Sequence, residues 1–153
     1  MANNEHRKLP TGIQSFYIIR EEGYLYVDKT DMVWKLANKG LKYNYLSRPR
    51  RFGKSVLVDT LQCYFEGRKE LFEGLKIMDL EKDWKEYPVI RLDMSRGGAN
   101  AETLRSYLNL RFGYYEEKYA ITPDPTAELA DRFDAIITTA YKQTGLKVAI
   151  LID

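Results

Sequence analysis

The last seven residues constrain this chain most. Lys147-Val148-Ala149-Ile150-Leu151-Ile152-Asp153 is unbroken apolar from Val148 to Ile152. A strand with one wet face alternates, whereas a continuous apolar run bounded by polar residues fits a parallel strand covered on both faces. Parallel strands require long crossovers, usually helical, so this run predicts an α/β architecture. The run also stops one residue before the end of the sequence. Domains rarely end inside their own central sheet, so the chain is expected to be a fragment, the N-terminal part of a longer protein.

The preceding sequence supplies the matching elements. Residues 1–12 read as a loose arm ending in Leu9-Pro10-Thr11-Gly12. Tyr24-Leu25-Tyr26-Val27 reads as a strand, followed by a helix capped by Asp28 or Thr30, with Val33, Leu36 and Ala37 on one face and Gly40 as a left-handed stop. Tyr43-Asn44-Tyr45-Leu46 reads as a second strand, and Pro88-Val89-Ile90-Arg91-Leu92-Asp93 as a third. A helix to about Phe65 carries Val56, Leu57, Leu61, Tyr64 and Phe65, a face wide enough to bury against a sheet. Two longer helices follow. One is capped by Asn100, and the other opens at Asp124-Pro125 and stops at Gly145. Alternating strands and helices are the grammar of a parallel sheet flanked by helices. The fold expected over residues 13–153 is therefore an α/β domain with a parallel sheet flanked by helices, cut after its Asp-ending strand.

Composition removes several alternatives. Lys plus Arg is 24 against 22 Asp plus Glu, so the net charge of +2 gives no general attraction for nucleic acid or anionic membrane. Cys63 and His6 are single, which excludes an internal disulfide and a Cys/His zinc set. No apolar run is long enough to span a bilayer and the first residues lack a signal peptide's apolar stretch. The expectations are a cytoplasmic setting, no membrane partner and a small, buried Cys63. Most of the 12 tyrosines fall on faces that need burial, which favours core packing over base stacking.

Chemistry concentrates between Ser47 and Ser55. A strand that becomes a helix through Gly53-Lys54-Ser55 matches the latter half of Gly-x-x-x-x-Gly-Lys-Ser/Thr, the Walker A loop. Such a loop aims backbone N–H groups inward, and the helix start adds about half a positive charge. Gly53 admits a phosphate close to the backbone, Lys54 supplies a mobile ammonium and Ser55 a hydroxyl for Mg²⁺. Gly-Lys-Ser also arises by chance, and Arg48 stands where the first glycine belongs. The placement between strand and helix is what favours function. The nucleotide-binding residues expected are Arg50, Arg51, Phe52, Gly53, Lys54, Ser55 and Val56. The run Arg48-Pro49-Arg50-Arg51 reads as a solvated charge cluster, a nucleic-acid contact or guanidinium groups for a triphosphate, and the third is favoured for at least one arginine.

Asp153 ends an apolar strand in the Walker B manner, and Ser55 and Asp153 are the expected metal-binding pair. Asp93 ends a strand interrupted by Arg91 and is better suited to capping a turn or supporting the site.

These segments resemble the bacterial AAA-ATPase-like family. The resemblance is carried by Glu21-Glu22-Gly23-Tyr24-Leu25-Tyr26-Val27-Asp28-Lys29-Thr30, Tyr45-Leu46-Ser47-Arg48-Pro49-Arg50-Arg51-Phe52-Gly53-Lys54-Ser55, Pro88 to Asp93 and Ile150-Leu151-Ile152-Asp153. It implies an α/β fold of the P-loop NTPase type over residues 13–153, truncated after the Walker B strand, in a P-loop ATPase that uses ATP and Mg²⁺ and is often followed by a PD-(D/E)XK nuclease-like domain. It also makes Arg-Pro-Arg-Arg-Phe-Gly-Lys-Ser the family's form of Walker A. Lys54 and Ser55 take the phosphate and magnesium roles and Asp153 the Walker B role. An acidic residue beyond Asp153 is the expected water-orienting base, so this chain alone is expected to bind nucleotide weakly and hydrolyse it negligibly. The Asp28-Lys29-Thr30 signature is expected near the nucleotide. The rival readings are a nucleotide-dependent switch or interaction module, and a nucleic-acid-associated module acting with the nuclease-like domain. A homo-oligomer is a further expected partner state.

Overall fold

A computed structural model describes residues 7–98 and 100–153. The first six residues of the expected N-terminal arm lie outside the described residues. The chain forms two compact units that meet in sequence between Glu86 and Tyr87.

The first unit is helical. α1 (Phe16–Glu21), α2 (Thr30–Lys39), α3 (Lys54–Phe65) and α4 (Ile77–Leu80) are joined by loops and a 3-10 turn at Lys69–Phe72. Ser15 caps α1 by accepting from the Ile18 N–H, and its hydroxyl donates to Asp59 Oδ2 on α3 at 3.0 Å. Phe16, Val33, Cys63, Tyr64, Leu71, Phe72 and Ile77 form the core, with the Phe16 and Phe72 rings 4.9 Å apart. Full burial of such a side chain contributes about 1.5–3 kcal/mol. Cys63 is buried, as its helix position predicts. α3 buries its face against α1 and α2 rather than against a sheet.

Two expected strands are not strands. At Tyr24–Val27 the backbone donors are spent elsewhere: Tyr24 N–H donates to Ile19 O at the end of α1, and Leu25 N–H to Lys8 O. At Tyr43–Leu46 no backbone–backbone hydrogen bond forms among the described residues, and Tyr45 is 92% exposed. A strand exists only as one side of a ladder, whatever the β-propensity of its residues. Gly40 is also not a left-handed stop. Its φ is −72°, and glycine is required because a Cβ would lie 2.3 Å from the Leu36 carbonyl oxygen.

The second unit contains the parallel sheet. β1 (Val89–Leu92) pairs with β2 (Ala149–Ile152), Val89 opposite Ala149 and Leu92 opposite Ile152. Among the described residues the sheet has these two strands, so the wider sheet expected for residues 13–153 is present as one parallel pair. The crossover runs through a 3-10 turn at Met94–Gly97, α5 (Ala101–Lys118) and α6 (Leu129–Thr144). Asn100 caps α5 by accepting from Thr103 N–H, and Gly145 closes α6 in the left-handed region. α6 starts later than expected, because the Asp124 carboxylate turns back onto the Thr126 N–H and hydroxyl, and the helix begins only after Glu128.

Ile90 and Leu92 pack with Phe112, Tyr115, Tyr119, Ile136 and Ala140. Glu116 on α5 and Arg132 on α6 tie these helices by a bidentate ion pair at 2.7 and 2.8 Å. β2 is not covered on both faces: Ile150 and Ile152 are exposed, since the helices pack over β1. On β1's other edge, the Tyr115 hydroxyl accepts from Arg91 N–H at 2.7 Å and the Tyr107 hydroxyl accepts from Asp93 N–H at 2.6 Å.

Candidate functional site

The segment entering α3 is curled and open. Arg51 (φ 67°) and Gly53 (φ 74°) both adopt the left-handed region. For Arg51 this costs about 1–2 kcal/mol, a strain that glycine at the next-but-one position avoids. A Cβ on Gly53 would meet nothing within 4 Å, so the backbone angle demands glycine there and the space beside it is open. The Gly53 carbonyl accepts the first helical bond, from Leu57 N–H at 3.0 Å. Among the described residues no side chain caps the start of α3, which leaves its first-turn amides available to an anion.

Lys54 reaches back across the loop. Its ammonium donates to the Arg48 carbonyl oxygen at 2.5 Å, closing a ring of backbone around residues 48–54. Arg50, Arg51, Phe52 and Gly53 are exposed around it, while Ser55 and Val56 are half-buried in the first turn. Among the described residues Arg48, Arg50 and Arg51 form no ion pair. An ammonium, three guanidinium groups, uncapped amides and one hydroxyl form a donor set suited to a polyphosphate.

Asp153 belongs to the second unit. Its N–H donates to Leu92 O and its C=O accepts from Met94 N–H, both at 2.9 Å, which fixes its backbone at the C-terminal edge of the strand pair. One carboxylate oxygen, Oδ2, lies 4.0 Å from Arg91 Nη2. Asp93 ends the neighbouring strand and is occupied as a cap: Oδ1 accepts from the Ser95 N–H and hydroxyl, and Oδ2 pairs with Arg96 Nε at 3.2 Å. This matches the turn-capping role read from its sequence position. The two residues expected on the metal, Ser55 and Asp153, thus sit in different units. Among the described residues no group of three or more His, Cys, Asp or Glu side chains could hold a metal. Mg²⁺ bound with phosphates uses one or two carboxylates and keeps several waters, so hard oxygen donors such as Ser55 and Asp153 suit it chemically.

The Asp28-Lys29-Thr30 signature works inside the fold. Asp28 Oδ1 accepts from the Thr30 N–H (2.9 Å) and hydroxyl (2.7 Å), and Oδ2 from the Lys76 N–H (2.8 Å). Ile77 N–H donates to the buried Thr30 hydroxyl at 3.1 Å, so one carboxylate and one hydroxyl join α2 to α4. Partial burial pushes the Asp28 carboxyl up, but the hydrogen bonds from Thr30 and Lys76 outweigh it and hold the group below its ordinary value. The Asp28 carboxylate and the Thr30 hydroxyl are thus engaged in hydrogen bonds within the first unit. Sequence reasoning also missed Asp59, which accepts from the Ser15 hydroxyl and the Tyr17 N–H; a separation of more than forty residues leaves no local signal.

A family model described as "Predicted AAA-ATPase" matches residues 10–153. The chain is also similar to "Uncharacterized protein in vnfD 5'region" of Azotobacter chroococcum mcd 1, at 39% identity over 150 residues. That match covers 96% of this chain and 28% of the relative, so the chain spans less than a third of the relative's length. No solved structure matches. Among the described residues no helix is long and apolar enough to cross a membrane.

Proposed function

The chain belongs to the predicted AAA-ATPase family, and from that premise we propose that it is the ATP-binding P-loop region of a Mg²⁺-dependent ATPase. Arg50, Arg51, Phe52, Gly53, Lys54, Ser55 and Val56 form the nucleotide-binding loop. The first-turn amides of α3 and the Lys54 ammonium bind phosphate oxygens, and at least one of Arg50 and Arg51 adds a guanidinium. Ser55 and Asp153 are the residues for Mg²⁺, which supplies charge neutralisation of the phosphates when bound. In the whole protein the reaction is attack of water on the γ-phosphate, with an acidic residue beyond Asp153 orienting that water.

The observation that supports this reading most is the loop itself. Left-handed turns at Arg51 and Gly53 curl the backbone, and Lys54 lies across it with its charge directed inward at the Arg48 carbonyl. A carbonyl is a weak partner for an ammonium, and a phosphate replaces it with a charged one. The test is calorimetric titration of ATP with Mg²⁺ onto the full-length protein and its Lys54→Ala variant. Loss of a charge-assisted bond of about 1.5–3 kcal/mol predicts a drop in affinity of roughly ten- to hundredfold. Unchanged affinity in a folded Lys54→Ala protein overturns the reading.

A further inference from the structure

We propose that Arg91 is the resident counterion of Asp153, so that a divalent cation gains that carboxylate only in competition with a guanidinium already in place. The inference rests on the assignment of Asp153 to the metal made above.

Arg91 sits third in a four-residue strand whose other members, Val89, Ile90 and Leu92, are buried. A cation among such neighbours is costly unless a partner compensates it. The register brings a carboxylate to its face of the strand pair. Arg91 is opposite Leu151, and paired residues of parallel strands share a face, so the next β2 residue on Arg91's face is Asp153. The two side chains are 26% and 18% exposed, and Arg91 Nη2 is 4.0 Å from Asp153 Oδ2. At that burial the attraction is screened less than between two surface side chains. Both backbones are pinned: Arg91 by the Tyr115 hydroxyl, which accepts from its N–H and donates to its C=O, and Asp153 by the ladder.

The pairing is one-sided. Asp153 Oδ1 has no hydrogen bond or ion pair among the described residues, and Asp93 next door is saturated by Ser95 and Arg96. The carboxylate therefore keeps one oxygen open while the nearby positive charge raises the cost of bringing a divalent cation to it. Arg91 thereby weakens loading of Asp153 by a divalent cation.

The test uses Mn²⁺ as the probe, with binding to the nucleotide-free full-length protein read by electron paramagnetic resonance. Removing one unit charge at this range predicts that Arg91→Gln binds Mn²⁺ about tenfold tighter than the natural protein, while Arg91→Lys stays close to it. Adding Asp153→Asn to Arg91→Gln is expected to abolish the gain. If Arg91→Gln does not fold, Arg91→Met gives the same neutral comparison with a side chain suited to burial. Equal or weaker Mn²⁺ binding in the neutral variant, or a gain that survives Asp153→Asn, overturns the proposal. Failure of the nucleotide reading appears instead in the Lys54→Ala titration, which this experiment does not involve.

Discussion

Residues 41–53 and the β1–β2 pair are both rich in β-branched, aromatic or leucine side chains, yet they end in opposite physical states. Every residue from Leu41 to Gly53 is exposed and Tyr45 is nearly bare, whereas Ile90 is fully buried. The strand pair has a ladder partner at each position and two long helices over β1. The tyrosine segment has no ladder partner among the described residues, and its open backbone leads directly into the curled loop. Strand formation is thus a property of a pair. The loop's chemistry depends on local turns at Arg51 and Gly53 rather than on a neighbouring ladder.

The contrast is sharpest in stability. Ile90→Ala should cost about 2–5 kcal/mol, the range for emptying a filled core position, whereas Tyr45→Ala should stay within about 0.5 kcal/mol. Urea unfolding of both variants measures this, and comparable losses would mean that the tyrosine segment is packed after all. Next in size is Asp28→Asn, expected to cost about 1–2 kcal/mol at neutral pH by weakening charge-assisted bonds to Thr30 and Lys76. Because the folded Asp28 carboxyl lies below its ordinary value of 3.8, its stabilisation is present above that value. It is lost as pH falls through the lower folded value. Acid titration of the melting temperature should therefore show a shallower decline in Asp28→Asn. Smallest is Arg51→Gly. Relief of about 1–2 kcal/mol of left-handed strain, less about 0.5–1 for glycine's extra unfolded freedom, leaves a gain of about 0.5–1 kcal/mol. A lower melting temperature in that variant would show that the Arg51 side chain contributes more to the fold than its backbone costs.

What was legible in the sequence was local. The caps at Ser15 and Asn100 follow side-chain rules acting within four residues, and α6 ends at Gly145, where the sequence places its stop. The strand at Val89–Leu92 and the helix after Gly53 were equally readable, because their apolar runs are bounded by a Pro and a Gly. The tyrosine segment was misread since propensity says nothing about whether a ladder partner is present. The hydrogen bonds of Asp28 and Thr30 to Lys76 and Ile77 were not legible, because those partners lie far along the chain. Within the candidate site, the identity of Lys54 was legible but its anchoring on Arg48 was not. The counterion of Asp153 was hidden for the same reason: Arg91 looked like an interruption until the register placed it beside a carboxylate.

Tyrosine hydroxyls stand where the outward amides of Arg91 and Asp93 would otherwise invite a third strand. An incoming chain would have to evict two phenols held on the rigid α5 scaffold before it could dock there. That margin of the sheet is sealed against chance aggregation, so any lateral growth has to proceed past Ile150 and Ile152.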